Sequence, residues 1–296
     1  MATSKHPCRT IFAFILGFGM ICFGISGCSN PDVRSALETD SQLTVMSFNI
    51  RYDNPNDGID AWPNRKEWVA SIIDESGADI VGLQESLHHQ IKDIVSKAPR
   101  FDWIGVGRTD GMLSGEFSPL LYDTTVVRVI DWETRWLSPT PSIVGSKGWD
   151  AAITRVATIA SFLILETADT LHVVNTHFDH RGENARTNSA ALIREWTLSP
   201  GVALGDFNFT DTSDGYARMV ADAELRDAVE GVEHEVDADS MSTFRSFDPD
   251  SDVFRRIDYQ FVARSIEVLS YKVLSPIKNG RYPSDHLPVV TTLRLK

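Results

Sequence analysis

Six stretches put an acid, amide or imidazole where an apolar strand has no use for one. Asn49 closes QLTVMSFN, Glu85 follows ADIVGLQ, Asn175 and His177 end LHVVNTH, and Asp206 and Asn208 end GVALGDFN. Asp258 interrupts RRIDYQF, and Asp285 and His286 stand just ahead of the last apolar run in SDHLPVV. Side chains of these types bind hard cations, hold water and move protons. If the strands share one or two sheets, their ends can meet at one rim, where α/β folds place their ligands.

Each stretch also has a purely structural explanation. Asn and Asp at strand ends form turns by bonding their own backbone. Glu85 ahead of a helix can serve its N-terminus. A single histidine is commonly a hydrogen-bonded structural residue, and Asp258 has Arg255 and Arg256 close by in the chain. What these explanations leave open is why the same pattern recurs six times.

The elements that must carry these residues alternate short β runs with helical ones from Gln42 onward, without repeats. Trp68, Val69, Ile72 and Ile73 recur at helical spacing within 64–76, and Gly77 stops that helix. Further helices are predicted over 86–97, 183–197 and 216–223. FDWIGVGR, FSPLLYD, VVRVIDWETRWL, TRVATIASFLILE, IEVLSYKVL and LPVVTTLRL supply additional strands. So many strands with so few helices predict two sheets packed face to face, with helices outside, in one domain over 42–296. The stretch LSPTPSIVGSKGWD, residues 137–150, is the longest loop, and long loops often belong to a site.

Taken in order, MSFNIRYD, GLQES, GEFSPLLYD, NTHFDH, GDFN, RIDYQF and SDHLPV resemble the successive motifs of the endonuclease/exonuclease/phosphatase superfamily, from about Met46 to Val290. The resemblance implies a four-layered α/β sandwich, two mixed β-sheets between helices, and a metal-dependent phosphoester hydrolase. It implies Asn49 and Glu85 at a divalent-cation site, with Asp285 close by or bound through water. Asp206 and Asn208 would align the attacking water, with Asp206 as base. His286, held by Asp258 from a neighbouring strand, would meet the phosphoryl oxygen, with His177 on its other side. Tyr122, Arg155 and Asn175 match positions that contact phosphate or substrate. Oxygen ligands without a competing thiol favour Mg²⁺ or Mn²⁺.

The N-terminus sets the expected compartment. Lys5 and Arg9 precede an apolar stretch from Ile11 to Ile25, and ISGC then resembles a bacterial lipobox. Residues 1–27 are expected to be a lipoprotein signal peptide, Cys28 a lipidated first residue anchored to a bacterial membrane, and 28–41 a polar tether. All three cysteines, Cys8, Cys22 and Cys28, lie in that leader, which excludes a disulfide framework in the domain. Without residues 1–27, 26 basic residues face 41 acidic ones, a formal charge of −15. Such a field opposes non-specific duplex DNA binding, and a monomer is expected.

Phosphodiesters rank first as substrates. The alternatives are monoesters such as inositol phosphates, for which Arg255, Arg256, Lys278 and Arg281 would supply a basic pocket, and an inactive surface-anchored binding protein. The stretch WLSPTPSIVGSKGWDAAITR is most similar to bacterial members of the superfamily.

Overall fold

Two six-stranded sheets form the centre of the molecule, a computed structural model that describes residues 42–232 and 241–295. The expected signal peptide, Cys28 and tether lie outside the described residues. The first sheet contains β1 (Gln42–Asn49), β2 (Ile80–Gln84), β3 (Phe101–Ile104), β4 (Leu120–Asp123), β11 (Ile266–Val273) and β12 (Val289–Leu295), in the order β11-β12-β1-β2-β4-β3. The second contains β5 (Val127–Trp136), β6 (Val156–Ile164), β7 (Thr170–His177), β8 (Gly201–Asp206), β9 (Leu225–Asp227) and β10 (Asp258–Ala263), in the order β5-β6-β7-β8-β10-β9. Both sheets are mixed, with one parallel pair in each: β1 with β2, and β7 with β8.

The period of two along a strand decides which residues meet between the sheets. Leu43 and Val45 of β1 join the inter-sheet core, whereas Met46 and Phe48 pack outward with Trp62, Val69 and Ile73 of α1 (Trp62–Glu75) and Ile91 and Ile94 of α2 (His88–Lys97). On the other side, α3 (Glu183–Trp196) brings Ala190 and Ile193 and α4 (Asp214–Val220) brings Met219 to the core of the second sheet. Helices outside two sheets make the layered α/β sandwich.

The parallel pairs fix where the polar strand ends go. Asn49 is level with Gln84 in the first sheet, and His177 is level with Asp206 in the second. Antiparallel β10 begins at Asp258, opposite Asp206. Five polar ends from two sheets therefore reach the same edge of the sandwich.

Beneath that edge the sheets are joined by buried amides. Gln260 Nε2 donates to Val289 O at 2.9 Å and Val45 O at 3.3 Å, and Gln84 Nε2 donates to Asn175 Oδ1 at 2.7 Å. Gly82 makes this close approach possible. A Cβ there would lie 2.0 Å from Leu204 and 2.7 Å from the Asn175 amide. The helix expected over 86–97 begins two residues later, at His88, and the short strand β9 has no counterpart in the sequence expectations.

Candidate active site

Asp206 is the centre of the polar edge. It is the last residue of β8 and only 1% exposed, and its Oδ2 accepts from Asn49 Nδ2 at 3.0 Å across the gap between the sheets. The same oxygen is 3.3 Å from His177 Nε2 and 3.7 Å from His286 Nε2. Its Oδ1 accepts the backbone N–H of Asn208 at 3.0 Å, an Asx turn that brings Asn208 into the left-handed region at φ 51°. Asn208 Nδ2 then reaches His177 Nε2 at 3.0 Å and Phe178 O at 3.1 Å. The turn-forming role and the site role thus coexist in GDFN.

His286 Nδ1 donates to Asp258 Oδ2 at 2.8 Å. Sequence expectation put this carboxylate on a neighbouring strand. It comes instead from β10 of the second sheet, while His286 precedes β12 of the first. Burial opposes the imidazolium, but the facing carboxylates of Asp258 and Asp206 outweigh it and hold the His286 pKa well above the usual range. His177 is driven the other way. Burial, followed by the Arg155 and His286 cations, keeps its pKa well below that range. Burial and the neighbouring Asp258 push Asp206 up to about 7, against the pull of His286. Two imidazoles flank one carboxylate, one poised cationic and the other neutral.

Glu85 and Asp285 line the same cavity, with Arg51 Nη1 3.9 Å from one and 4.0 Å from the other. Arg51 is held by Asp57, at 3.0 Å and 3.2 Å, and lies over the Tyr52 ring. Glu85 is in the left-handed region at φ 59° and accepts from Asn49 Nδ2 at 3.2 Å and Tyr52 N at 3.2 Å. Burial raises the Asp285 pKa, and Glu85 adds to the shift. Two carboxylates repelling each other at an open cavity wall suit a hard divalent cation. Asn49 fits that role only in part: its amide oxygen accepts from Arg51 N at 3.0 Å, and its NH₂ faces the carboxylates. Asp206, Asp258 and His286 also bring ligand atoms within 4.8 Å of one another. There, however, His286 and Asp258 already bond each other.

The cavity encloses about 480 Å³. Arg155 closes it at the back, 5% exposed, with a buried Nε that has no hydrogen-bond partner and a terminal nitrogen 3.3 Å from His180 Nδ1. Burial and the nearby Arg108 cation lower its pKa. Glu116 and Phe244, which sequence reasoning did not single out, complete the walls together with Arg255, one of the four cations considered for a basic pocket. Glu116 had a signal, since it belongs to the GEFSPLLYD motif.

Two expected site residues are elsewhere. Tyr122 is paired with Ile80, at the far end of β2 from Glu85, and its hydroxyl reaches only Asp102 at 3.4 Å. Asn175 is on the correct face of β7 but two residues deeper than His177. It is fully buried and donates to Leu83 O and Pro119 O at 2.8 and 2.7 Å, a tie between sheets with no surface in the cavity. The long loop 137–150 also stays out of the lining; Ile153 and Arg155 just after it enter instead.

Residues 46–286 match the Endonuclease/Exonuclease/phosphatase family. An endonuclease/exonuclease/phosphatase family protein of Bacteroides thetaiotaomicron is 35% identical, with a TM-score of 0.83 over 87% of this chain and 99% of that one. A mannosyl-6-phosphatase of the same organism is 36% identical, with a TM-score of 0.79 over 85% of this chain and 99% of that one. An uncharacterized protein of Acanthamoeba polyphaga mimivirus is 24% identical over 271 residues, 84% of this chain and 98% of the viral protein. With its polar strand ends gathered at one edge and most of its length matched, the chain belongs to the endonuclease/exonuclease/phosphatase family.

Proposed function

We propose that the protein is a divalent-metal-dependent phosphomonoesterase acting on small hydroxyl-rich molecules, sugar phosphates foremost. The observation that carries this reading is Arg155, a buried guanidinium lining the catalytic cavity whose Nε makes no hydrogen bond among the described residues. A buried donor left without a hydrogen bond is costly unless an acceptor arrives to meet it, and Asp179, 3.9 Å away, is an ion-pair neighbour without supplying that bond. A terminal phosphoryl group, carrying up to two negative charges, meets that need better than the single charge of a diester. The mannosyl-6-phosphatase relative, at 36% identity, supports the same substrate class.

The residues fit the steps of such a reaction. Water held by Asp206 and Asn208 attacks phosphorus as the Asp206 carboxylate takes its proton. A base whose pKa is near neutrality suits this, and general-base help contributes on the order of 10²- to 10⁴-fold. His286, kept cationic by Asp258, donates to a phosphoryl oxygen as negative charge builds there. Asn208 and neutral His177 hold the attack side, and Arg155 holds the far phosphoryl oxygens. The ester P–O bond breaks, the departing alkoxide takes a proton from solvent water, and the proton left on Asp206 returns to solvent. Glu85 and Asp285, with Asn49 beside them, would hold Mg²⁺ or Mn²⁺, which when bound would neutralise phosphoryl charge.

Polyphosphate recognition finds less support. Of the four cations considered for a basic pocket, Arg256 is paired with Asp227 at 2.7 Å, Arg281 with Asp60, and Lys278 lies 5.9 Å from the Trp68 ring. Only Arg255 faces the cavity. Initial rates with Mg²⁺ on a hexose 6-phosphate, phenyl phosphate, bis(p-nitrophenyl) phosphate and an inositol polyphosphate test the reading. Faster turnover of the diester than of either monoester would overturn it, and no turnover of any ester would favour an inactive binding protein. Export and lipid attachment at Cys28 remain part of the proposal, testable by radiolabelled palmitate incorporation.

A further inference from the structure

One wall of the catalytic cavity has no part in the hydrolytic step. Residues 242–245 form a strap between the two sheets. Phe244 N donates to Arg255 O at 2.9 Å and Arg255 N to Phe244 O at 3.2 Å, while Leu287 N donates to Thr243 O at 2.7 Å and Arg245 N to Asp285 O at 3.0 Å. Thr243 Oγ1 accepts from Ile257 N and Asp258 N at 3.1 and 3.0 Å. Bonds to the start of β10 and to the segments that lead into β10 and β12 hold the strap, so the side chains it displays are held in place.

Two of those side chains face the cavity. The half-buried Phe244 ring stands 4.9 Å from the His286 ring at 64°. Arg255 is exposed at the mouth, and among the described residues its guanidinium makes no hydrogen bond or ion pair. Its neighbour Arg256 is committed to Asp227. In an acidic protein, a cation that faces the cavity without a carboxylate partner is available to a ligand. An aromatic face beside a few directed donors is the usual construction of a small-molecule pocket. The Phe244 ring borders the His286 imidazole, so the wall it forms adjoins the position proposed for the phosphoryl group.

We propose that Phe244 and Arg255 form the leaving-group subsite, with Phe244 covering the apolar face of a polyhydroxylated ring and Arg255 donating to its hydroxyls. This rests on the sugar-phosphate reading above. The five donors of a guanidinium, set in a planar fork, suit vicinal hydroxyls where an ammonium would reach one.

The test compares kcat/KM for a hexose 6-phosphate with that for phenyl phosphate in the full chain with Mg²⁺, for wild type, Arg255→Ala, Arg255→Lys and Phe244→Leu. The ratio of the two is expected to fall about tenfold or more in Arg255→Ala and Phe244→Leu, chiefly through KM, as loss of directed contacts predicts. Arg255→Lys is expected to recover part of it. If Arg255→Ala does not fold by circular dichroism, Arg255→Gln is read in its place. A ratio within about threefold of wild type, in a protein that turns over hexose phosphate, overturns the subsite and leaves the function standing. Wild type that cleaves phenyl phosphate or a diester but no hexose phosphate overturns the sugar-phosphate reading, and the subsite with it.

Discussion

His286 bonds Asp258 at 2.8 Å although the two enter the cavity from different sheets. The imidazole is therefore a joint between the halves of the sandwich as well as a proton donor, and its tautomer is set by a residue that can be changed without touching substrate. Asp258→Asn keeps the shape and removes the charge. The expected result is a fall in kcat of about a hundredfold or more with a smaller change in KM. A kcat within about threefold of wild type, in a folded protein, would assign the pair a structural role only.

Chelation is expected to abolish turnover and added Mg²⁺ or Mn²⁺ to restore it. Two groupings compete for the ion: Glu85 with Asp285, and the buried Asp206, Asp258 and His286 cluster. Manganese titration of the metal-free protein, followed by electron paramagnetic resonance, separates them. Glu85→Gln is expected to weaken Mn²⁺ more than about tenfold, and Asp258→Asn much less. The reverse order would move the ion to the cluster.

Much of this edge was legible because strand periodicity is simple. A polar residue at the end of a run whose alternate members are apolar and inward must itself face inward, which places Asn49, His177, Asp206 and Asp258 between the sheets. Depth was not legible. Asn175 and His177 share one motif and one face, and only the register of β7 against β8 shows that His177, level with Asp206, reaches the cavity while Asn175 stops below it. Nor does a motif say which of its residues matters: GEFSPLLYD contributes Glu116 to the wall, while Tyr122 is carried to the far end of the strand pair. Arg51 depended on a left-handed turn, at φ 58°, that an arginine does not announce.

Asn175 and Tyr122 consequently give opposite predictions from those of site residues. Asn175→Leu takes the side-chain donor from Leu83 O and Pro119 O in a fully buried place, Pro119 O keeping Leu83 N at 3.1 Å, and should lower stability by about 1–3 kcal/mol in urea titration. The KM of the folded fraction should stay near wild type. Tyr122→Phe loses one long hydrogen bond to Asp102, and kcat should change less than about twofold. A large kcat loss in Tyr122→Phe would contradict its placement.

Acidity enters through Asp206, whose carboxyl is held near 7, above its unfolded value. A carboxyl raised in the folded state keeps its proton there after the unfolded chain has lost it. Stability is then greatest below the unfolded pKa and falls as pH rises toward about 7. The raised His286 acts in the same sense at higher pH, its contribution present below the unfolded imidazole value and lost as pH climbs through the folded one. Without divalent cation, Asp206 is expected to tilt the melting-temperature profile downward between pH 5 and pH 7, against buried neutral His177, which adds stability over the same range, so the profile of Asp206→Asn should tilt upward relative to wild type. An unchanged slope in that variant would assign the pH dependence to other groups.

Arg65, in the first turn of α1, is 3% exposed and makes no ion pair with a carboxylate among the described residues. Burial lowers its pKa to about 10, with the Asp285, Asp57 and Asp60 carboxylates pulling the other way, so it remains a cation at neutral pH. It donates to Ile50 O at 2.9 Å, Pro283 O at 2.7 Å, Arg51 O at 3.4 Å and Asp60 O. The first three carbonyls lie within two residues of Asn49 or Asp285, so a single guanidinium ties together the two segments that carry those residues to the cavity. Arg65→Met would take this donor from Ile50 O, Pro283 O and Asp60 O, Arg51 O keeping Gln90 Nε2 at 3.0 Å, a cost of about 3 kcal/mol or more. Arg65→Lys, able to satisfy fewer of them, should fall between. Because the tie sets the separation of Asn49 from Asp285, Mn²⁺ affinity of the folded Arg65→Lys protein should drop by about tenfold as well. Stability lost without any change in Mn²⁺ affinity would mean that the two segments find their places independently of Arg65.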